Sequence, residues 1–214
     1  MAATVTIASG AIWQEVAADR QKHRDATISA IAPALPDLKD IPLNTIGIAK
    51  KVLTAEEIKI TESLVEDLAA LLAREDISAV TVVKAFLRRA GLAQKAVSAP
   101  IPDFPLHLLT PRQTNCITEL LPTKALERAK YLDEYFKENG KPIGPLHGIP
   151  ISVKEHVGMK ELDLNGGFVS WVGTVAQKDA HILEILWNAG AVFYARTTQP
   201  QTLMHLETST NLYG

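Results

Sequence analysis

Apolar positions recur every three or four residues through the first half of the chain, and after Gly140 the pattern changes to short apolar runs separated by one helical stretch. Trp13 to about Ile31 reads as an amphipathic helix closed by Pro33 and Pro36. Thr54-Ala-Glu-Glu57 has the spacing of a capping box, with Glu57 placed to reach back to the Thr54 amide. Leu64, Leu68, Leu71 and Leu72 form one helical stripe. Val83, Phe86, Leu87 and Ala90 form a second, with Lys84, Arg88 and Arg89 expected on its wet side. Ala125, Ala129, Leu132 and Phe136 mark a further helix, stopped at Asn139-Gly140 by a left-handed cap.

Beyond Gly140 the pattern is strand–helix–strand. Ile149, Ile151 and Val153 alternate with Pro150 and Ser152, which predicts a strand over 149–154. Asp179 is expected to cap the following helix, with Ile182, Ile185, Leu186 and Ala189 facing inward and Gly190 ending it. Ala191–Ala195 follows without polar alternation, as a strand covered on both faces would. The three together predict a parallel βαβ unit with a right-handed crossover. Lys154 then lies at the carboxyl end of its strand, where open α/β sheets place their sites.

Composition narrows the function classes. The chain has 214 residues, 47% of them hydrophobic, enough for one domain with a core. A formal charge of −2 gives no footprint for nucleic acid or an anionic membrane. One cysteine, Cys116, excludes an internal disulfide and a multi-cysteine zinc site, and the six histidines lack ligand spacing. His147 and His156 therefore read as structural or exposed, and no metal or cofactor is called for. No apolar stretch reaches the length of a membrane span, and Met1–Gly10 lacks a basic region before its apolar residues. A cytoplasmic location is expected.

A lysine ending an apolar strand is unusual, because ammonium groups are rarely buried without a partner. Its full context, Gly144-Pro-Leu-His-Gly-Ile-Pro-Ile-Ser-Val-Lys154-Glu155, resembles the lysine motif of the amidase signature family. The resemblance continues through Asp179–Met204, with Thr198 where the family has Asn, and through Glu207–Gly214. Upstream, Asn115–Glu119 and Ala125–Asp133 are similar to the fungal acetamidase-like branch, related to the fatty-acid amide hydrolases. The resemblance covers roughly residues 50–96 and 114–214.

It implies an α/β amidase-signature fold, with N-terminal helices over 1–140 leading into a mixed, largely parallel sheet that starts within 141–214. It also implies hydrolysis of carboxylic amides by a Ser–cis-Ser–Lys triad, in which Lys154 is the base. To act so, the lysine must lose its proton, and burial at a strand end would favour the neutral form. The family's glycine- and serine-rich motif, which carries both serines, would follow Gly214, so this chain is expected to be truncated and inactive alone. Ser152 points to the face of Lys154 but has only Ile151 and Val153 beside it and no oxyanion donors. Gly166, Gly167, Leu203 and Met204 fall where the family lines its acyl channel. Glu155 replaces the usual Asp after the lysine and is one methylene longer, which weakens any orienting role taken from the family.

Pro100, Pro102, Pro105 and Pro111 crowd a stretch without periodicity. Removing Val97–Gln113 joins Ala96 to Thr114 in a string that closely resembles the uninterrupted family sequence. Val97-Ser98 and Gln113 are encodable by splice-junction codons, so 97–113 reads as a retained intron, the alternative being a surface insertion. Two further readings stay open for the whole: a non-catalytic remnant serving as a binding or scaffold module, and a subunit completed by another chain. An unpaired sheet edge would also invite homo-oligomers or aggregation.

Overall fold

The computed structural model describes residues 12–38, 45–97, 116–206 and 208–213. Residues 98–113 of the suspected insertion lie outside the described residues. Helix α1 (Trp13–Ser29) is followed by the short α2 (Ala49–Val52), α3 (Ala55–Glu62), α4 (Val65–Ala73) and the long α5 (Ala79–Val97). Strand β1 (Ile117–Leu120), helix α6 (Pro122–Asn139), strand β2 (Pro150–Lys154), helix α7 (His181–Asn188) and strand β3 (Val192–Thr197) complete the order.

The helix ends follow the local chemistry closely. Thr54 Oγ1 accepts from the Glu57 amide at 3.1 Å, and Glu57 Oε2 accepts from the Thr54 amide at 2.8 Å, closing the capping box at α3. Helix α6 opens on Pro122 and ends at Gly140 with φ +63°, a left-handed cap. Helix α5 is capped twice: Ser78 Oγ accepts from the Thr81 amide at 3.1 Å, and the Asp133 carboxylate of α6 accepts from the Ala79 amide at 2.6 Å and the Val80 amide at 3.1 Å. Its negative charge at that N-terminus also complements the helix dipole. These two helices then share one core, in which Leu72, Val82, Val83, Leu87, Leu120, Leu132 and Val192 are all buried.

Three helical expectations need correction. Arg88 is buried rather than wet, because its Nε meets Glu57 Oε1 at 2.6 Å in a pair that ties α5 to α3. Asp179 does not cap α7. Its Oδ1 accepts from the Lys160 amide at 2.7 Å, and the N-cap position belongs to Ala180, without a side-chain bond. Within α7 the buried residue is Leu183, whereas Ile182 and Ile185 stand about half exposed. The stripe is rotated because Leu183, with Leu186 beside it, is the residue that meets Val153 and Phe193.

The sheet has the order β1-β3-β2, with β3 parallel to β2 and antiparallel to β1. The predicted β2–α7–β3 unit is therefore present, and its two strands run parallel. Gly190 makes the close turn into β3 possible. Its φ is +99°, and a Cβ there would lie 2.7 Å from His147 Cα. The Gly148 amide donates to Gly190 O at 2.9 Å, locking the loop before β2 to the end of α7. Burial is complete along β1, and along β3 it is broken only by the half-buried Tyr194 and Thr197. In β2, Ser152 and Lys154 are exposed, on a face of this edge strand that no other described element covers. β1 was not announced by the pattern, since Cys116–Leu121 sits between two helices and lacks strand-like alternation.

Candidate active site

Lys154 ends β2 in register with Thr197 at the end of β3, so both carboxyl ends open at one rim of the sheet. The lysine side chain is exposed there, contrary to the expected burial. A strand's side chains alternate between its faces, and nothing among the described residues lies over the face that carries Ser152 and Lys154. The next residue points the other way. Glu155 is 1% exposed, and its backbone amide donates to Thr197 O at 2.9 Å.

Glu155 is where three segments meet. Its carboxylate accepts from the Asn165 amide at 2.7 Å, the Gly166 amide at 2.9 Å and Gln199 Nε2 at 3.0 Å. The loop that carries the two glycines and the segment after β3 are therefore both pinned to the residue beside Lys154. The extra methylene of Glu over Asp does not prevent this contact. Burial raises the Glu155 pKa, with Arg196, the two amides and Gln199 pulling it back.

Arg196 of β3, fully buried, is the second hub. Nη1 donates to Glu119 Oε1 of β1 at 2.6 Å, and Nη2 donates to Asp163 O at 2.6 Å and to Glu155 O at 2.5 Å. Nη2 also lies 3.5 Å from Glu155 Oε1. Glu119 is reached from α1 as well, through His23 Nε2 at 3.0 Å. Burial is the largest single influence on Glu119 and opposes ionisation, but His23 and Arg196 together outweigh it and hold its pKa below the usual carboxylate value. Asp163 accepts from the Gly173 amide at 3.0 Å and from Asn165 Nδ2 at 3.2 Å, which stiffens the same loop. The sequence reading missed Glu119, Asp163, Asn165, Arg196 and Gln199. One signal was present: Arg196 interrupts an otherwise apolar buried strand, and such a charge requires a partner.

Among the described residues no group of His, Cys, Asp and Glu is placed to hold a metal ion, and no helix is long and apolar enough to cross a membrane. His147 is buried, and its Nδ1 accepts from the Ile143 amide at 3.1 Å, a structural arrangement. An open groove of about 970 Å³ lies between α6, α7 and residues 159–161, with Arg128 stacked 3.9 Å from the Trp187 ring centroid. Lys154 does not line it.

Comparison with known proteins bears on the family of the chain. The Amidase family matches residues 109–214. A putative amidase of Schizosaccharomyces pombe is 37% identical over 94% of this chain, and the acetamidase of Emericella nidulans 35% identical over 94%. The solved structure of a fatty acid amide hydrolase superposes with TM-score 0.75 at 34% identity, over 94% of this chain and 34% of that one. The chain belongs to the amidase family. It spans about a third of the length of these relatives: 35% of the S. pombe protein and 34% of the E. nidulans enzyme.

The four residues expected at the acyl channel fall in two adjacent segments. The Gly166 amide is held by Glu155, and Gly167 (φ +84°) lies against the backbone of Gln201, 3.4 Å from where a Cβ would stand. Gln201 opens a single 3₁₀ turn, Gln201–Leu203, in which Thr202 and Leu203 both have positive φ. Positive φ in residues other than glycine stores strain that the surroundings must hold. Leu203 is 47% and Met204 87% exposed.

Proposed function

We propose that this chain supplies the general base, Lys154, for hydrolysis of carboxylic amides to a carboxylate and ammonia or an amine. The nucleophilic serine and the relay serine on a cis peptide come from polypeptide outside these 214 residues. The carrying observation is that Lys154 stands at the carboxyl rim of parallel strands, next to a carboxylate that fixes the Gly166–Gly167 loop. A base must be held by rigid elements, and the Glu155 and Arg196 contacts supply that rigidity. Gly166, Gly167, Leu203 and Met204 line the path of the acyl group in this reading, and the protein works in the cytoplasm.

Exposure of Lys154 supports a second element of the proposal: these residues alone are catalytically silent. Desolvation, which favours a neutral lysine, is absent until other chain covers the rim. The nucleophile and oxyanion donors, which carry most of the rate enhancement in acyl transfer, must also come from that chain. The test is twofold. The 214-residue chain should not turn over acetamide, benzamide or a p-nitrophenyl ester. In an enzyme completed with the serine-bearing part of an amidase, Lys154→Ala should lower kcat by several orders of magnitude, with Lys154→Arg no better because guanidinium stays protonated. Turnover by the short chain that vanishes in Lys154→Ala, or near-normal kcat in the Arg variant, would refute the proposal.

A further inference from the structure

Arg128 of α6 is a buried cation without a counter-ion. It is 6% exposed, and no carboxylate among the described residues lies within ion-pair reach of it. Only Nη2 finds a protein acceptor, Trp187 O of α7 at 2.6 Å, and Nε is buried with none. The guanidinium lies instead against two rings, 3.9 Å from the Trp187 centroid and 5.3 Å from that of Tyr131. Ring faces attract a cation, but they do not supply the hydrogen bonds and opposite charge that buried ions otherwise find. Burial accordingly opposes its charge and lowers its pKa, with only Tyr131 acting the other way.

This arginine lines the open groove of about 970 Å³ between α6, α7 and residues 159–161. Leu121, Met159 and Phe193, all buried, give the groove an apolar lining, and the Trp187 ring stands 6.2 Å from that of Phe193. The other charged residues around it, Lys124, Glu127, Lys160, Glu161, Asp179 and Glu184, are exposed. Water screens their charges, and two of the acids are already engaged. Asp179 Oδ1 accepts from the Lys160 amide at 2.7 Å, and Glu184 Oε2 meets His181 Nδ1 at 3.2 Å. The one desolvated charge in the groove is therefore positive, and it is surrounded by rings and aliphatic side chains. We propose that the groove binds a small carboxylate with an apolar body, the carboxylate pairing with Arg128 and the body packing on Trp187, Phe193 and Met159. A planar guanidinium with unused donors suits a carboxylate, and an apolar wall with one oriented polar group is the usual make-up of a small-molecule site. Lys154 does not line the groove, so the proposal is independent of the chemistry at the rim.

The test is calorimetric titration of the 214-residue chain with benzoate, which should bind saturably with a Kd of about 1 mM or tighter. Benzamide keeps the ring and loses the charge, and acetate keeps the charge and loses the ring. Each should bind at least about tenfold more weakly, the loss expected when one of two contacts is removed. Arg128→Met, checked by circular dichroism for a parent-like fold, should weaken benzoate by a similar factor. A second readout needs no variant: in the parent chain the Arg128 Nε–H resonance should shift with benzoate and saturate at the calorimetric Kd. Absence of saturable binding by about 10 mM benzoate overturns the proposal. So does benzamide or acetate binding as tightly as benzoate, or a folded Arg128→Met chain that binds it unchanged. Saturable binding that leaves the Arg128 Nε–H resonance unmoved places the ligand elsewhere and also overturns it. Tighter binding of benzylamine than of benzoate would show that the exposed acids, not Arg128, set the charge preference, with the same consequence.

Discussion

Replacing Arg196 by Met removes the charge from the centre of the buried network while keeping much of the side-chain volume. Arg196 is 0% exposed and faces two carboxylates, Glu119 at 2.6 Å and Glu155 at 3.5 Å, besides two carbonyls. Its loss leaves Glu155 buried without a cation and Glu119 with only His23 as a partner. Breaking a buried pair in this way costs about 3–5 kcal/mol, far more than an exposed ion pair. At a urea dependence of about 2 kcal/mol per molar, the unfolding midpoint of the purified chain should fall by about 1.5–2.5 M.

The pH dependence provides an independent check. The lowered pKa of Glu119 gives stability that is present above its unfolded value of about 4.3 and is lost as pH falls through the folded value. The raised pKa of Glu155 works in the opposite sense. Without Arg196 both folded values rise, Glu119 keeping only His23 against its burial, and protonation relieves part of the penalty. The gap between Arg196→Met and the parent should therefore be widest near pH 7 and narrow as pH falls through the carboxylate range. Adding Glu119→Gln and Glu155→Gln to Arg196→Met should restore most of the lost stability at pH 7. A midpoint for Arg196→Met within about 1 kcal/mol of the parent at neutral pH, or a gap that widens in acid, would refute the reasoning.

Three other outcomes follow from the same contacts. Glu155→Gln should speed hydrogen exchange of the Asn165 and Gly166 amides by about 10–100-fold, because each loses a charged acceptor worth about 1.5–3 kcal/mol; unchanged rates would show that the loop holds itself. Gly190→Ala should lower stability by about 2 kcal/mol or more in urea denaturation, since it combines positive φ with a Cβ 2.7 Å from His147 Cα. Lys154→Ala, at an exposed position, should leave the urea midpoint within about 0.5 kcal/mol of the parent, so that any loss of hydrolysis in a completed enzyme reports on chemistry rather than folding.

The sequence by itself determined what depends on neighbours along the chain. Thr54 and Glu57 close their capping box, Gly140 caps α6, and the run from Ile149 to Ala195 produces parallel strands around a helix. Each of these rests on chemistry within a few residues, or on an apolar period that only one element can satisfy. The motif around Lys154 likewise pointed to the family and to the strand end. Tertiary structure decided which face of each element meets which neighbour. Helix α7 turned Leu183 inward and Ile182 and Ile185 outward, because its orientation is set by Val153 and Phe193. Arg88 left the solvent because Glu57, on a helix met only after folding, offered it a partner. The network of Glu119, Glu155, Asp163 and Arg196 joins residues up to 77 positions apart, and a charge inside an apolar strand shows only that a partner must exist, not which one. The exposure of Lys154 is not set locally either: strand alternation assigns it a face, and only the packing of other elements decides whether that face is covered.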